Sequence, residues 1–184
     1  MPVSSVDFSK WREESGLRIL VETGTYIGGG IRHALRGGME RVVSIEASDD
    51  YFRNAQGLFG NDPRVSLVLG DSSTTLGQVL LGIDEPVIFW LDAHSSGGKT
   101  FNGPDPLIGE IKAIFGWKHA PKSWIFADDC TIGEKRVTTA HVVLGRTHLL
   151  KPVDATMPSD EGYGAAGGHP WIYTVGWVPI GDKP

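Results

Sequence analysis

Three short stretches of the chain concentrate side chains able to do chemistry: ETGTYIGGG (22–30), DAHSSGGK (92–99) and DDC (128–130). Glycines without Cβ atoms let a nucleoside- or phosphate-like group come close to the backbone. Carboxylates and an imidazole can ligate a divalent cation or move a proton. Glu46 and Asp71 add single acids at the ends of two further apolar runs. Cys130 follows two carboxylates, a setting that raises a thiol pKa and argues against a nucleophile.

These residues need elements to carry them. LRILVE (17–22), RVVSIE (41–46), RVSLVLG (64–70), PVIFWLD (86–92) and SWIFAD (123–128) are apolar runs without alternation, the pattern of parallel strands buried on both faces. Between them, GGIRHALRG, SDDYFRNAQGLF, SSTTLGQVLLG and PDPLIGEIKAIFGW read as helices, with N-cap chemistry at Ser48–Asp50 and Ser72–Ser73. Gly37, Gly60 and Gly82 fall where helices should stop. Alternating strand and helix predicts an α/β fold, a doubly wound, Rossmann-like, mostly parallel sheet. TTAHVVLGRTHLLKPV suits a last helix and strand, and WIYTVGWVPI a closing antiparallel strand. Residues 154–170 form a Gly/Pro/Ser-rich loop, either a connection or a lid.

Composition narrows the function. At 184 residues, 40% hydrophobic and 21% charged, the chain suits a single domain over 1–184. A net charge of −5 with scattered Lys and Arg argues against a nucleic-acid partner. No run approaches the roughly 20 apolar residues of a membrane span, and the N-terminus lacks a signal-peptide core, so a cytoplasmic protein with no membrane partner is expected. One cysteine rules out an internal disulfide.

In an open parallel sheet, ligands settle outside the carboxyl ends of the strands, so the turn after the first strand should meet a cofactor. The dinucleotide pattern G-x-G-x-x-G fails from Gly24, at Tyr26, and from Gly28, at His33. The observed E-x-G-x-x-x-G-x-G resembles the first motif of class I S-adenosylmethionine-dependent methyltransferases. Glu46, Asp71 with Ser72, and Asp92 follow at the next three strand ends in that family's order. The resemblance implies S-adenosylmethionine as cofactor, with Glu22, Gly24, Thr25, Tyr26, Gly28, Glu46, Asp71, Ser72 and Asp92 around it. Glu46 would take the ribose hydroxyls and Asp71 the adenine amino group. Glu22 either positions the amino-acid end or caps the turn, and Asp71 is open to a plain N-cap role.

The same resemblance makes the fourth and fifth strands neighbours, bringing Asp92 and His94 beside Asp128 and Asp129. Like charges packed so closely are relieved most simply by a divalent metal. Oxygen-rich ligation favours Mg²⁺, Mn²⁺ or Ca²⁺, and His94 admits softer ions. The set Asp92, His94, Asp128 and Asp129 resembles that of metal-dependent O-methyltransferases of the catechol type and related sugar-tailoring enzymes, and DAHSSGG also points toward a less characterised methyltransferase-like group. The implied reaction is O-methylation of a small hydroxylated or sugar-bearing molecule, with Asp92, His94 and Lys99 in the catalytic role. The alternatives are a metal-dependent hydrolase or hydroxylase on the same scaffold, or a non-catalytic binding module. A lid would come from loop 94–106, from 154–170 or from a second subunit in a homo-oligomer. His33, His119, His141, His148 and His169 show no ligand spacing, and Trp90, Trp171 and Trp177 read as packing.

Overall fold

The computed structural model describes residues 7–93, 104–130, 135–144, 148–152 and 173–180. His94, Lys99, Trp171, His169, residues 94–103 and 154–170 of the candidate lid loops and the side chains of Asp129 and Cys130 lie outside the described set. The elements run α1 (Phe8–Ser15), β1 (Ile19–Thr23), α2 (Gly29–Arg36), β2 (Arg41–Glu46), α3 (Asp49–Phe59), β3 (Val65–Leu69) and α4 (Ser72–Leu81). They continue β4 (Ile88–Leu91), α5 (Leu107–Phe115), a 3₁₀ turn (Ala120–Lys122), β5 (Trp124–Cys130), α6 (Lys135–Leu144), β6 (His148–Pro152) and β7 (Tyr173–Pro179). Strand order is β3-β2-β1-β4-β5-β7-β6. The first five strands are parallel, and β7 runs antiparallel to both β5 and β6. The order reverses between β1 and β4, which places the ligand crevice above those two strands.

Alternation along each strand splits the core into two layers. Val21, Ile45, Phe89, Leu91 and Ala127 pack under α4, α5 and α6, while Leu20, Val42, Trp90 and Phe126 pack under α1, α2 and α3. No described helix is long and apolar enough to cross a membrane.

Two features depart from the sequence expectation. Strand β3 is the sheet edge and only partly buried along its length, with Leu69 at 46% exposure, so the reading of burial on both faces fails there. Helix α1 was not foreseen. Asp7 caps it by accepting from the Lys10 N–H, and Gly16 ends it at φ +70°. Eight residues are too few to hold a helix in water. Burial of Phe8 and Trp11, each worth about 2–3 kcal/mol, supplies the stability. Trp11 lies flat on Phe126, centroids 3.6 Å apart, beside Trp90.

Trp90 and Trp177 are fully buried, as packing residues should be. His148 is buried as well, with Nε2 3.0 Å from the Ser123 carbonyl. Desolvation holds its pKa down, which favours the neutral ring.

Candidate functional site

The turn from β1 into α2 is shaped by three glycines, each set against another part of the protein. A Cβ on Gly24 would stand 2.3 Å from the Asp92 carbonyl oxygen, so this residue lets the tips of β1 and β4 touch. On Gly28, at φ +76°, it would meet the Phe59 ring at 2.4 Å. On Gly30 it would fall 1.6 Å from Glu22 Oε1. The close approaches attributed to a cofactor in the sequence are thus, in these three positions, approaches of the chain to itself.

That last contact explains Glu22. The side chain is buried beneath the start of α2, where Ser44 Oγ donates to its Oε2 at 2.5 Å. Thr25 Oγ1, also buried, lies 2.6 Å from Ser44 Oγ. Because Ser44 spends its one proton on Glu22, Thr25 is the donor in the second bond. Burial pushes the Glu22 pKa up to about 8, partly offset by the Ser44 bond and reinforced by Asp92 and Glu46. Ser44 escaped the sequence reading, although a serine inside the apolar run RVVSIE was its signal.

At the end of β2, Glu46 holds both neighbouring turns. Its Oε2 accepts from the Tyr26 N–H and its Oε1 from the Ser48 N–H, each at 2.8 Å. A carboxylate has room for about four hydrogen bonds, so each oxygen keeps capacity for a hydroxyl donor. Tyr26 sits at φ +49°, a left-handed conformation costing a bulky residue on the order of 1–3 kcal/mol. The bond to Glu46 and a ring contact with Tyr51, centroids 4.7 Å apart, hold it there. Half of Tyr26 and half of Ile27 remain exposed at this lip.

Beyond β3, Asp71 is the N-cap of α4, accepting from the Ser73 N–H at 2.9 Å and the Ser73 hydroxyl at 2.7 Å, both on Oδ1. The cap is one residue earlier than Ser72–Ser73. Ser48 occupies the α3 cap position without a side-chain bond. Ser72 is buried.

On the other side of the crevice, the Asp92 N–H is shared between the Thr23 carbonyl at 3.1 Å and the Thr23 hydroxyl at 3.3 Å. Leu91 pairs with Ala127, so Asp92 and Asp128 are the next residues on neighbouring strands. Asp128 is 3% exposed. Ala127 pairs with Val175 and Cys130 with Tyr173, so β5 spends one more residue than β7 across this interval. The strand register thus shifts between Ala127 and Cys130, next to Asp128. Among the described residues, no group of three His, Cys, Asp or Glu side chains could hold a metal ion. The described part of the expected ligand set is the pair Asp92 and Asp128.

No protein-family model matches the chain, and no curated protein matches it. Solved structures do. An S-adenosylmethionine-dependent O-methyltransferase from Thermotoga maritima is 16% identical, with a TM-score of 0.59, over 100% of this chain and 67% of its own. An O-methyltransferase from Bacillus cereus, solved with S-adenosylhomocysteine, is 18% identical with a TM-score of 0.56 over 97% and 81%. A methyltransferase from Podospora anserina, also solved with S-adenosylhomocysteine, is 14% identical with a TM-score of 0.57 over 95% and 76%. At such identities the likeness is one of fold, and that fold is the class I methyltransferase fold.

Proposed function

We propose that this chain is an S-adenosylmethionine-dependent methyltransferase acting on a hydroxyl of a small hydroxylated or sugar-bearing molecule. The observation that carries the reading is Glu46. It is a nearly buried carboxylate at the end of β2, oriented by two backbone N–H groups and beside the glycine turn at the switch point of the sheet. That is the acceptor a ribose diol needs. Gly24, Gly28 and Gly30 shape the turn after β1, and the Asp71–Ser72 turn follows β3, two strands away in the sheet. The acidic composition supports a small acceptor over a nucleic acid.

In the transfer, the acceptor oxygen bonds the methyl carbon as the carbon–sulfur bond breaks, and the electron pair stays on sulfur. The hydroxyl proton goes to His94 or Lys99. The chain's main task is alignment of donor and acceptor with water excluded. A divalent cation, held by Asp92 and Asp128 with His94 and Asp129, would lower the pKa of the acceptor hydroxyl.

Isothermal titration of S-adenosylhomocysteine, with and without Mg²⁺ or Mn²⁺, tests the reading. Binding by the native chain and roughly hundredfold weakening in Glu46→Ala are expected, since hydrogen bonds to a charged group contribute about 1.5–3 kcal/mol each. No binding under either condition overturns it. Tight metal uptake without nucleoside binding would point to another enzyme class on this scaffold.

A further inference from the structure

Among the described residues, Tyr26 is the one residue other than glycine that takes a positive φ, and it does so between Gly24 and Gly28. A glycine at 26 would hold this backbone without strain and present the same N–H to Glu46 Oε2. Only the ring sets tyrosine apart. That ring packs on Tyr51, the third residue of α3, with centroids 4.7 Å apart and planes tilted by 60°. Half of Tyr26 stays exposed, so contact with Tyr51 rather than deep burial anchors it.

Tyr51 closes a circuit around Glu46. The carboxylate holds the first turn through the Tyr26 N–H and the entry to α3 through the Ser48 N–H. Ser48 stands at the α3 N-cap with no side-chain capping bond, and its carbonyl accepts from the Phe52 N–H at 2.9 Å. Three residues after Ser48, Tyr51 meets the Tyr26 ring. The two segments that grip Glu46 are therefore also joined to each other, ring against ring. Resting on the reading of Glu46 as the ribose acceptor, we propose that Tyr51 is a positioning residue. By holding the Tyr26 ring it keeps the left-handed turn in place, and with it the N–H that fixes Glu46 Oε2 for the two hydroxyls of a ribose.

The consequence is specific to the diol. A carboxylate accepting from two hydroxyls needs both oxygens placed, and freeing one N–H lets it turn away from the geometry that two donors require. A nucleoside lacking those hydroxyls gains nothing from the placement. Loss of Tyr51 thus removes preference for the diol and leaves the remaining contacts untouched.

The test pairs two measurements on the full chain. In the ligand-free protein, hydrogen exchange followed by ¹⁵N NMR reads the amide at position 26. Tyr51→Ala should speed its exchange about tenfold, while Tyr51→Phe, which keeps the ring, should leave it at the native rate. Should Tyr51→Ala not fold, Tyr51→Gln keeps the side-chain length without a ring and carries the same expectation. Titration then compares S-adenosylhomocysteine with its 2′,3′-dideoxy form. The native preference for the diol should fall about tenfold in Tyr51→Ala, with affinity for the dideoxy form unchanged. A loosened fold would weaken both alike. Adding Tyr51→Ala to Tyr26→Gly should cost nothing beyond Tyr26→Gly alone, since the ring it holds is gone. Native exchange or native preference in Tyr51→Ala, equal weakening of both ligands, or a further loss in the double variant overturns the proposal. If the native chain binds neither ligand, the methyltransferase reading fails, while the exchange rates still decide whether Tyr51 holds the turn.

Discussion

Glu22 and Thr23 are adjacent on β1, yet each leads to a buried glutamate on its own side of the sheet. Toward α2, Glu22 itself is the acid, tied to Ser44 and Thr25 on the strand and turn beside it. Toward α5, the acid is Glu110, a buried helix residue whose pKa burial raises and the Ser72 and Thr23 hydroxyls lower. The first arrangement is built within one strand–turn–helix unit and shapes a single turn. The second stands among three segments distant in sequence. Both faces of the sheet thus bury a carboxyl, bonded into a local turn on one side and set in the first turn of a helix on the other.

The largest effect should separate the two through their glycines. Gly30→Ala drives a methyl into Glu22 Oε1, and because that carboxyl is buried and bonded, a loss of about 3 kcal/mol in urea unfolding is expected. Adding Glu22→Ala should return part of it, a non-additivity that a mere helix effect would not show. Gly109→Ala presses on Ser73 across a helix–helix contact able to slide, and about 1–2 kcal/mol is expected. Equal losses would erase the distinction.

A pH series sharpens the same contrast. Both glutamates keep their proton in the folded chain at pH values where an unfolded glutamate, with pKa about 4.3, has lost it. The folded state then binds more protons, so stability falls as pH rises. The fall begins near the unfolded pKa and ends at about 7 for Glu110 and about 8 for Glu22. Thermal melts from pH 5 to 8.5 should show Glu110→Gln flattening the curve only up to about 7, and Glu22→Gln flattening it further. Melting curves parallel to the native one in both variants would contradict this. The smallest effect belongs to Asp71→Ala, which removes the α4 cap and should cost about 1 kcal/mol in the same unfolding assay. A much larger loss would mean that Asp71 supports more than the start of α4.

The two sides also differed in how well the sequence announced them. Glu22, Gly24, Gly28 and Glu46 sit at fixed distances in one strand–turn–helix segment, and local spacing is what a single sequence displays well. What it could not display was that the glycines face Asp92, Phe59 and Glu22, because those partners are set by tertiary packing. Glu110 did leave a trace: it shares a stripe with the buried Leu107, Ile111 and Ile114, and an acid on an apolar helical face calls for a partner. Exposure of β3 was hidden for another reason. Which strand lies at a sheet edge depends on strand order, and VSLVL carries no polar alternation to reveal it. The capping and stop signals of α1, Asp7 and Gly16, were present, but eight polar-rich residues show too little periodicity to count against a loop.

The flat stack of Trp11 on Phe126 carries a practical lesson for anyone trimming the chain. Cutting ahead of Ile19 would strip the cover from Trp90 and Phe126 and leave a greasy strip over the central strands. Such a fragment should clump during expression even though its sheet and crevice residues are all retained.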